Sequence, residues 1–392
     1  MRDFEFFAPT RVVFGRGAEL KVGGLIRERG CGRALIHFGS RRVADSGLLG
    51  RVEKSLKDAG VDFVSLGGVV PNPRLSKVRE GIALGREAGA DFILAVGGGS
   101  VIDSSKAIAY GLANDCDVWD FYSGKARPRA CLPVGAVLTI AAAGSEMSES
   151  SVITNEEGWL KRGCSSDLSR CAFAAMNPEL TLSLPVYQTM CGCADIIMHT
   201  LERYFVRGGN SELLDSFAEG LVRTVMRAAR TLCAVPGDYC ARAEVMWAGA
   251  MSHNGVTGDR FIGDWACHQL EHELSGMFDV PHGAGLAAVW GSWARHVCPA
   301  DPARFAKFAV NAMGCACDFR SAEKTAMEGI SAMEGFFESV GLPTSISKLG
   351  LKLSDADIAR LARKCSFEGT RTVGRFMPLD EAAMRAVYAG AR

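Results

Sequence analysis

Three of the seven histidines fall in one stretch, Gly263 to Gly283, which reads GDWACHQLEHELSGMFDVPHG. They are His268, His272 and His282. His268 and His272 are four apart, so on a helix they share a face. Pro281 stops such a helix and places His282 in the loop beyond it, next to Gly283. A helical histidine pair met by a histidine from a loop is one way to build a metal site. Three satisfied or surface histidines that happen to cluster is the other reading of the stretch. Asp195 and His199, in ADIIMHTLERYF, have the same helical spacing. Together with His268 and His282 they supply a carboxylate and three imidazoles. That set suits one divalent ion, Fe2+ or Zn2+, and disfavours Ca2+ or Mg2+. It also leaves coordination open for a substrate oxygen.

A second pattern handles phosphate. Phe92–Val96 (FILAV) is continuously apolar, as expected of a strand covered on both faces. It runs into Gly97-Gly98-Gly99-Ser100 and then a helix from Val101 to Tyr110. Glycines let a backbone approach a phosphate, and a helix N-terminus adds free N–H groups and a positive dipole end. A plain tight turn is the alternative. The pattern is not the GxGxxG fingerprint. Asp103 and Lys106 follow, either as a surface pair or facing a cofactor. After the strand at Arg33–Phe38 comes Gly39-Ser40-Arg41-Arg42. NAD-preferring sites often place an acid here for the ribose hydroxyls. This loop tip has none, and Asp45 lies further on. Ser40, Arg41 and Arg42 suit a 2′-phosphate, or the two arginines are simply solvated. The reading favours NADP(H), with NAD(H) second.

These residues must be positioned by two kinds of framework. The first half alternates strands and helices. Strands are expected at Arg11–Phe14, Arg33–Phe38, Asp62–Leu66, Phe92–Val96 and Cys131–Leu138. Helices are expected at 17–28, 48–59, 75–88 and 101–110. That alternation implies a mostly parallel sheet with helices on both faces. From about Leu184 the pattern turns helical, with helices at 192–205, 211–232, 239–254, 265–275, 302–313, 321–340, 354–365 and 380–388. The expected division is an α/β unit at 1–184 and an all-helical unit at 185–392, packed closely around a cleft.

Composition narrows the class. The 392 residues exceed one ordinary core, and 48% of them are hydrophobic. Lys plus Arg equals Asp plus Glu at 44 each, so nothing pulls the whole chain toward nucleic acid or an anionic membrane. No apolar run approaches a membrane span. The N-terminal MRDFEFFAPTRVVFG lacks the apolar core of a secretory signal. With 14 cysteines and no export signal, reduced thiols in the cytoplasm are expected, most of them buried as small hydrophobes.

Several segments together carry a resemblance. They are PTRVVFG near the start, PNPRLSKV at 71–78, GGGSVIDSSKA at 97–107, DVWDFYSGK at 117–125, GSEMSESSVITNEE at 144–157 and WACHQLEHELSGMFDVPHG. Across the whole chain they resemble the iron-containing alcohol dehydrogenase family, and most its butanol dehydrogenase-like branch. The resemblance implies a Rossmann-like dinucleotide-binding domain at 1–184 and a metal-binding catalytic domain at 185–392, the architecture shared with dehydroquinate synthases. It implies that Asp195, His199, His268 and His282 hold the metal, and that His272 is a non-ligand histidine near the nicotinamide, suited to relay a proton. It matches Gly97, Gly98, Gly99 and Ser100 to the pyrophosphate loop with Asp103 beside it, and Thr139, Ser145 and Lys161 to other cofactor-side positions. The chain departs from the branch at Gly39-Ser40-Arg41-Arg42, where relatives often have GGGS. It also has alanines at 141 and 143, where threonines are common. His37, His253 and His296 have no assigned role.

The implied activity is metal-dependent, reversible hydride transfer between a nicotinamide and a small alcohol or aldehyde, in a homodimer or larger homo-oligomer. Two other classes compete. A dehydroquinate synthase-like lyase would need a strongly basic site for a multiply anionic substrate. A non-catalytic metal-binding or redox-sensing protein would make the cysteines its functional residues.

Overall fold

The structure is a computed structural model, and it describes residues 5–209, 211–258 and 262–392. The first four residues of the N-terminal stretch considered above lie outside the described residues. The chain divides into two compact units, Phe7–Leu184 and Pro185–Arg392, the latter joined by residues 5 and 6.

The first unit contains β1 (Arg11–Phe14), α1 (Val22–Arg27), β2 (Arg33–Phe38), α2 (Arg42–Asp45), α3 (Leu48–Asp58), β3 (Asp62–Leu66), α4 (Leu75–Ala88) and β4 (Phe92–Gly97). Then come α5 (Gly99–Ala113), α6 (Trp119–Tyr122), β5 (Val134–Leu138), β6 (Ser150–Asn155), β7 (Leu160–Ser165) and β8 (Phe173–Met176). Six strands form one sheet in the order β1-β8-β5-β4-β2-β3, and every pair in it is parallel. β4 is buried at every position because it lies mid-sheet with helices on both faces. Alternate side chains show those faces. Ala34, Ile36, Leu94 and Val96 share a core with Val22 and Ile26 of α1 and Val52 and Leu56 of α3. His37 points the other way and bonds Ser104 of α5. Three glycines let α4 and α5 pack closely. A Cβ on Gly81 would stand 2.3 Å from Ile108, one on Gly111 2.2 Å from Ile82, and one on Gly85 2.8 Å from Leu112.

The sheet is the mostly parallel, Rossmann-like sheet expected. Three strands escaped the sequence reading. β6 and β7 pair antiparallel outside the main sheet, with Ser150 opposite Ser165 and Thr154 opposite Lys161. Their sequences, SSVITN and LKRGCS, carry too little apolar alternation to register as strands. β8 is only four residues long. α5 begins at Gly99, two residues before the expected start, because the last two residues of the GGGS loop already lie in the helix.

The second unit is helical. It contains α7 (Val186–Tyr204), α8 (Glu212–Ala234), α9 (Tyr239–His253), α10 (Ala266–Phe278) and α11 (His282–Val297). α12 (Pro302–Asn311), α13 (Ala322–Ser339), α14 (Asp355–Cys365) and α15 (Glu381–Ala391) complete it. α7 is its axis and packs against α8, α9, α10 and α11. Every residue from Thr189 to Tyr204 is buried, charged ones included, so its polar side chains must find partners inside the unit. α11 was not expected. Its segment, HGAGLAAVWGSWARHV, holds three glycines, and Pro281 was read only as a stop. Proline also starts helices, since its fixed φ suits a helix entry and it has no N–H to satisfy. Pro281 is the N-cap of α11, and His282 is the first residue of that helix rather than a loop residue.

All fourteen cysteines are free thiols. Among the described residues no helix is long and apolar enough to cross a membrane.

Candidate active site

Helical spacing brings four side chains of the second unit together. Asp195 and His199 lie one turn apart on α7, and Glu202 continues the same face. His268 lies in the first turn of α10 and His282 opens α11. Around Asp195 Oδ1 stand His199 Nδ1 at 3.4 Å, His268 Nε2 at 3.6 Å and His282 Nε2 at 3.7 Å. Asp195, His268 and His282 meet the geometric requirement for holding a metal ion.

Two glycines let α11 reach this place. A Cβ on Gly283 would stand 1.9 Å from the Cys191 carbonyl oxygen of α7, and one on Gly285 2.8 Å from Glu271 Oε1. The start of α10 is held differently. The Asp264 carboxylate accepts the backbone N–H groups of Ala266, Arg375 and Phe376, at 3.0, 2.8 and 2.7 Å. Trp265 follows with φ +63°, a left-handed conformation that side chains rarely adopt. Its ring packs on His268 at 5.4 Å between centroids and on the Arg203 guanidinium at 4.6 Å.

The donor set fits a divalent cation. Asp195 Oδ1, His199 Nδ1 and His268 Nε2 are buried and have no hydrogen-bond partner among the described residues. Each such group costs about 1–3 kcal/mol unless something satisfies it. Asp195, His268 and His282 group closely enough to be satisfied together by a borderline ion such as iron or zinc, with the His199 ring beside the same carboxylate oxygen. Burial, with His253 and His268 nearby, holds the His199 imidazole well below its ordinary range, so its lone pair is free for a metal. Burial also pulls His268 down, but Asp195 and Glu202 outweigh it and push His268 up to about 9.

His272 stands one turn beyond His268 on α10, its ring centroid 6.5 Å from that of His268 and 5.7 Å from that of His282. His253, given no role from sequence, ends α9 and lies against His199 with centroids 4.1 Å apart. Sequence reasoning also passed over Glu202 and Glu271, which contact His268 Nδ1 and His282 Nδ1. The signal for both was present. Glu202 stands three residues after His199, and Glu271 three after His268.

In the first unit, β2 and β4 are neighbours although β3 intervenes in the chain, so the strand order reverses between them. Phe38 pairs with Val96, and Gly97 pairs with Leu138. The loops at 39–42, 97–100 and 139–145 therefore leave the same edge of the sheet side by side. A crevice at the carboxyl ends of parallel strands, at such a reversal, is where doubly wound sheets bind nucleotides. Gly98 is the N-cap of α5 and has no side chain with which to cap it. The three glycines are required by their neighbours. A Cβ on Gly97 would stand 2.4 Å from Val101, on Gly98 2.8 Å from Ile140, and on Gly99 2.9 Å from Ala143. Thr139 donates its N–H to Gly97 O at 3.0 Å.

Asp103 is half-buried and Lys106 buried, so they are not a surface pair. Asp103 Oδ1 accepts from the Ser145 hydroxyl, and Oδ2 accepts the Val152 N–H at 3.0 Å. Lys106 is fully buried and donates to Ser148 O and Ser150 O, both at 2.8 Å. Lys161, opposite Thr154 in the hairpin, is also buried. Arg41 caps α2, Arg42 begins it, and both are exposed beside Gly39 and Ser40.

A parallel sheet of the nucleotide-binding kind in one unit and a histidine–aspartate cluster in a helical unit are the two parts of the architecture expected from the sequence. Residues 9–178 match the iron-containing alcohol dehydrogenase model, and residues 189–391 match the Fe-containing alcohol dehydrogenase C-terminal model. The chain is 36% identical to a probable NADH-dependent butanol dehydrogenase 1 of Bacillus subtilis, over 97% of both chains. It is 32% identical to the NADPH-dependent aldehyde reductase YqhD of Escherichia coli, over 100% of both. The crystal structure of an NADH-dependent butanol dehydrogenase A from Thermotoga maritima superposes with a TM-score of 0.95, at 36% identity, covering 100% of this chain and 99% of that one. The chain belongs to the iron-containing alcohol dehydrogenase family. It is an oxidoreductase of the alcohol dehydrogenase and aldehyde reductase type.

Proposed function

We propose that the protein interconverts a small alcohol and its aldehyde, using one divalent metal ion and NADP(H) in preference to NAD(H). The placing of His199, His268 and His282 around Asp195 Oδ1, with three of these buried ligand atoms lacking a hydrogen-bond partner among the described residues, is the observation that carries the reading. These residues would hold iron or zinc, which would supply Lewis acidity toward a substrate oxygen, and the first unit would hold the nicotinamide cofactor, which would supply the hydride chemistry. Asp195 contributes the one anionic ligand and the three imidazoles the neutral ones. His272, one turn from His268, holds or passes a proton on an imidazole nitrogen.

In the nucleotide-binding unit, the uncapped N-terminus of α5 and the backbone of Gly97–Ser100 receive the pyrophosphate. Asp103 and Lys106 act indirectly. They tie α5 to the 145–152 segment and so hold Ser145 beside that loop. Arg41 and Arg42, exposed just after β2 in a 39–42 loop tip that holds no acid, receive the 2′-phosphate. The relatives' names print both NADH and NADPH, so the preference rests on these two arginines.

The test is metal analysis of the purified protein combined with steady-state assays over short aldehydes, using NADPH and NADH in parallel. One equivalent of metal and faster turnover with NADPH are expected. Metal-replete protein that turns over no aldehyde or alcohol would overturn the reading.

A further inference from the structure

We propose that Glu202 and Glu271 are positioning residues for the metal centre, each fixing the ring orientation and tautomer of one ligand histidine; this rests on the metal reading above. The two acids come from different helices and serve different rings. Glu202 Oε1 accepts His268 Nδ1–H at 3.0 Å and also the backbone N–H of His268 at 3.0 Å. One oxygen therefore fixes both the ring and the backbone from which it projects. Glu271 Oε2 pairs with His282 Nδ1, while its Oε1 accepts the Ser275 hydroxyl.

The consequence is the same at both rings. With the proton held on Nδ1, the lone pair is on Nε2. In both histidines Nε2 is the nitrogen that faces Asp195 Oδ1, at 3.6 and 3.7 Å. An imidazole that gives its far N–H to a carboxylate is both oriented and made a better donor.

Burial argues the same way. Glu202 is 3% exposed and Glu271 is fully buried. Among the described residues Glu202 has one ion-pair partner, His268. A carboxylate buried with so little compensation costs several kcal/mol unless positive charge is near. A metal on the opposite nitrogen of the ring supplies it. The chain also makes room for this arrangement, because a side chain on Gly285 would occupy the space of the Glu271 carboxylate. His199 is different. Its ring lies against His253 at 4.1 Å, and no carboxylate backs it among the described residues.

The experiment titrates chelator-stripped protein with Co2+ alone, measuring affinity by chelator competition and ligand geometry by the visible absorption of bound cobalt. Wild type should bind one ion. Glu202→Gln and Glu271→Gln keep shape and remove charge. Each should bind cobalt about 10–100-fold more weakly, with a shifted absorption band and an unchanged metal-free thermal midpoint. If either Gln variant fails to fold, Glu202→Asp and Glu271→Asp are titrated instead. They keep the charge but shorten its reach, and the same weakening is expected. Wild-type affinity and spectrum in the folded variants overturn the proposal. Wild type that binds no cobalt, or His268→Ala that binds it fully, overturns the metal reading beneath it instead.

Discussion

The Cβ that Gly283 lacks would stand 1.9 Å from the carbonyl oxygen of Cys191. α11 therefore meets α7 backbone to backbone, one residue after His282 and one turn before Asp195. Gly283→Ala must push the helices apart at the point where two proposed ligands approach. A loss of about 1–3 kcal/mol is expected for such overpacking, together with reduced metal content. Chemical denaturation and metal analysis check it, and wild-type values for both would show that the contact is looser than described.

The metal should also hold the helical unit together. Asp195, His199, His268 and His282 come from three helices, so the proposed ion would bind only when all three are in place. At a metal concentration a thousandfold above its Kd, binding adds about 4 kcal/mol to stability. Chelation should lower the thermal midpoint and re-addition of metal should restore it. Asp195→Ala should abolish that response; a full metal-dependent rise in this variant would remove Asp195 from the site.

Arg41 and Arg42 carry the proposed cofactor preference. A charged hydrogen bond contributes about 1.5–3 kcal/mol. Replacing both by alanine should raise KM for NADPH by about 10–100-fold and leave KM for NADH nearly unchanged. Parallel steady-state kinetics with the two cofactors decide this, and equal effects on both would mean that the arginines do not read the 2′-phosphate.

His272 separates chemistry from metal binding. His272→Ala should retain a full equivalent of metal and lose turnover by about 10²–10⁴, the usual contribution of a general acid or base. If turnover survives, the imidazole does no more than pack beside the nicotinamide.

His37 predicts an acid-sensitive fold. It is fully buried, contacts Leu66 O through Nδ1 at 3.0 Å and Ser104 Oγ through Nε2 at 2.9 Å, and its neutral ring satisfies both. Burial pushes it from 6.5 down to about 4, against the Leu66 carbonyl, with Lys77 lowering and Glu80 raising it further. Between those values the unfolded chain binds a proton that the folded chain refuses. Stability is thus full above about pH 6.5 and falls by about 3 kcal/mol as pH drops toward 4. His37→Gln should flatten that part of the profile, as read from denaturation midpoints between pH 4 and 7. An unchanged slope would place the acid sensitivity elsewhere.

The alternation of apolar strands with amphipathic helices determined the fold class, because hydrophobic periodicity is local. Spacing likewise marked Asp195 and His199, His268 and His272, and the 97–100 loop as chemical candidates, since helical phase can be read without a partner. Local patterns were silent on the β6–β7 hairpin, whose polar strands gain their order from Asp103 and Lys106 on a distant helix. They also misread Pro281, a stop for α10 that is equally the entry to α11. Tertiary structure alone decided which nitrogen of His268 and His282 faces Asp195, that Glu202 and Glu271 stand behind those rings, and that Asp103 turns inward toward Ser145. Each of these depends on the distance between residues far apart in the chain, and hydrogen bonding and close packing act only over the few ångströms that folding closes.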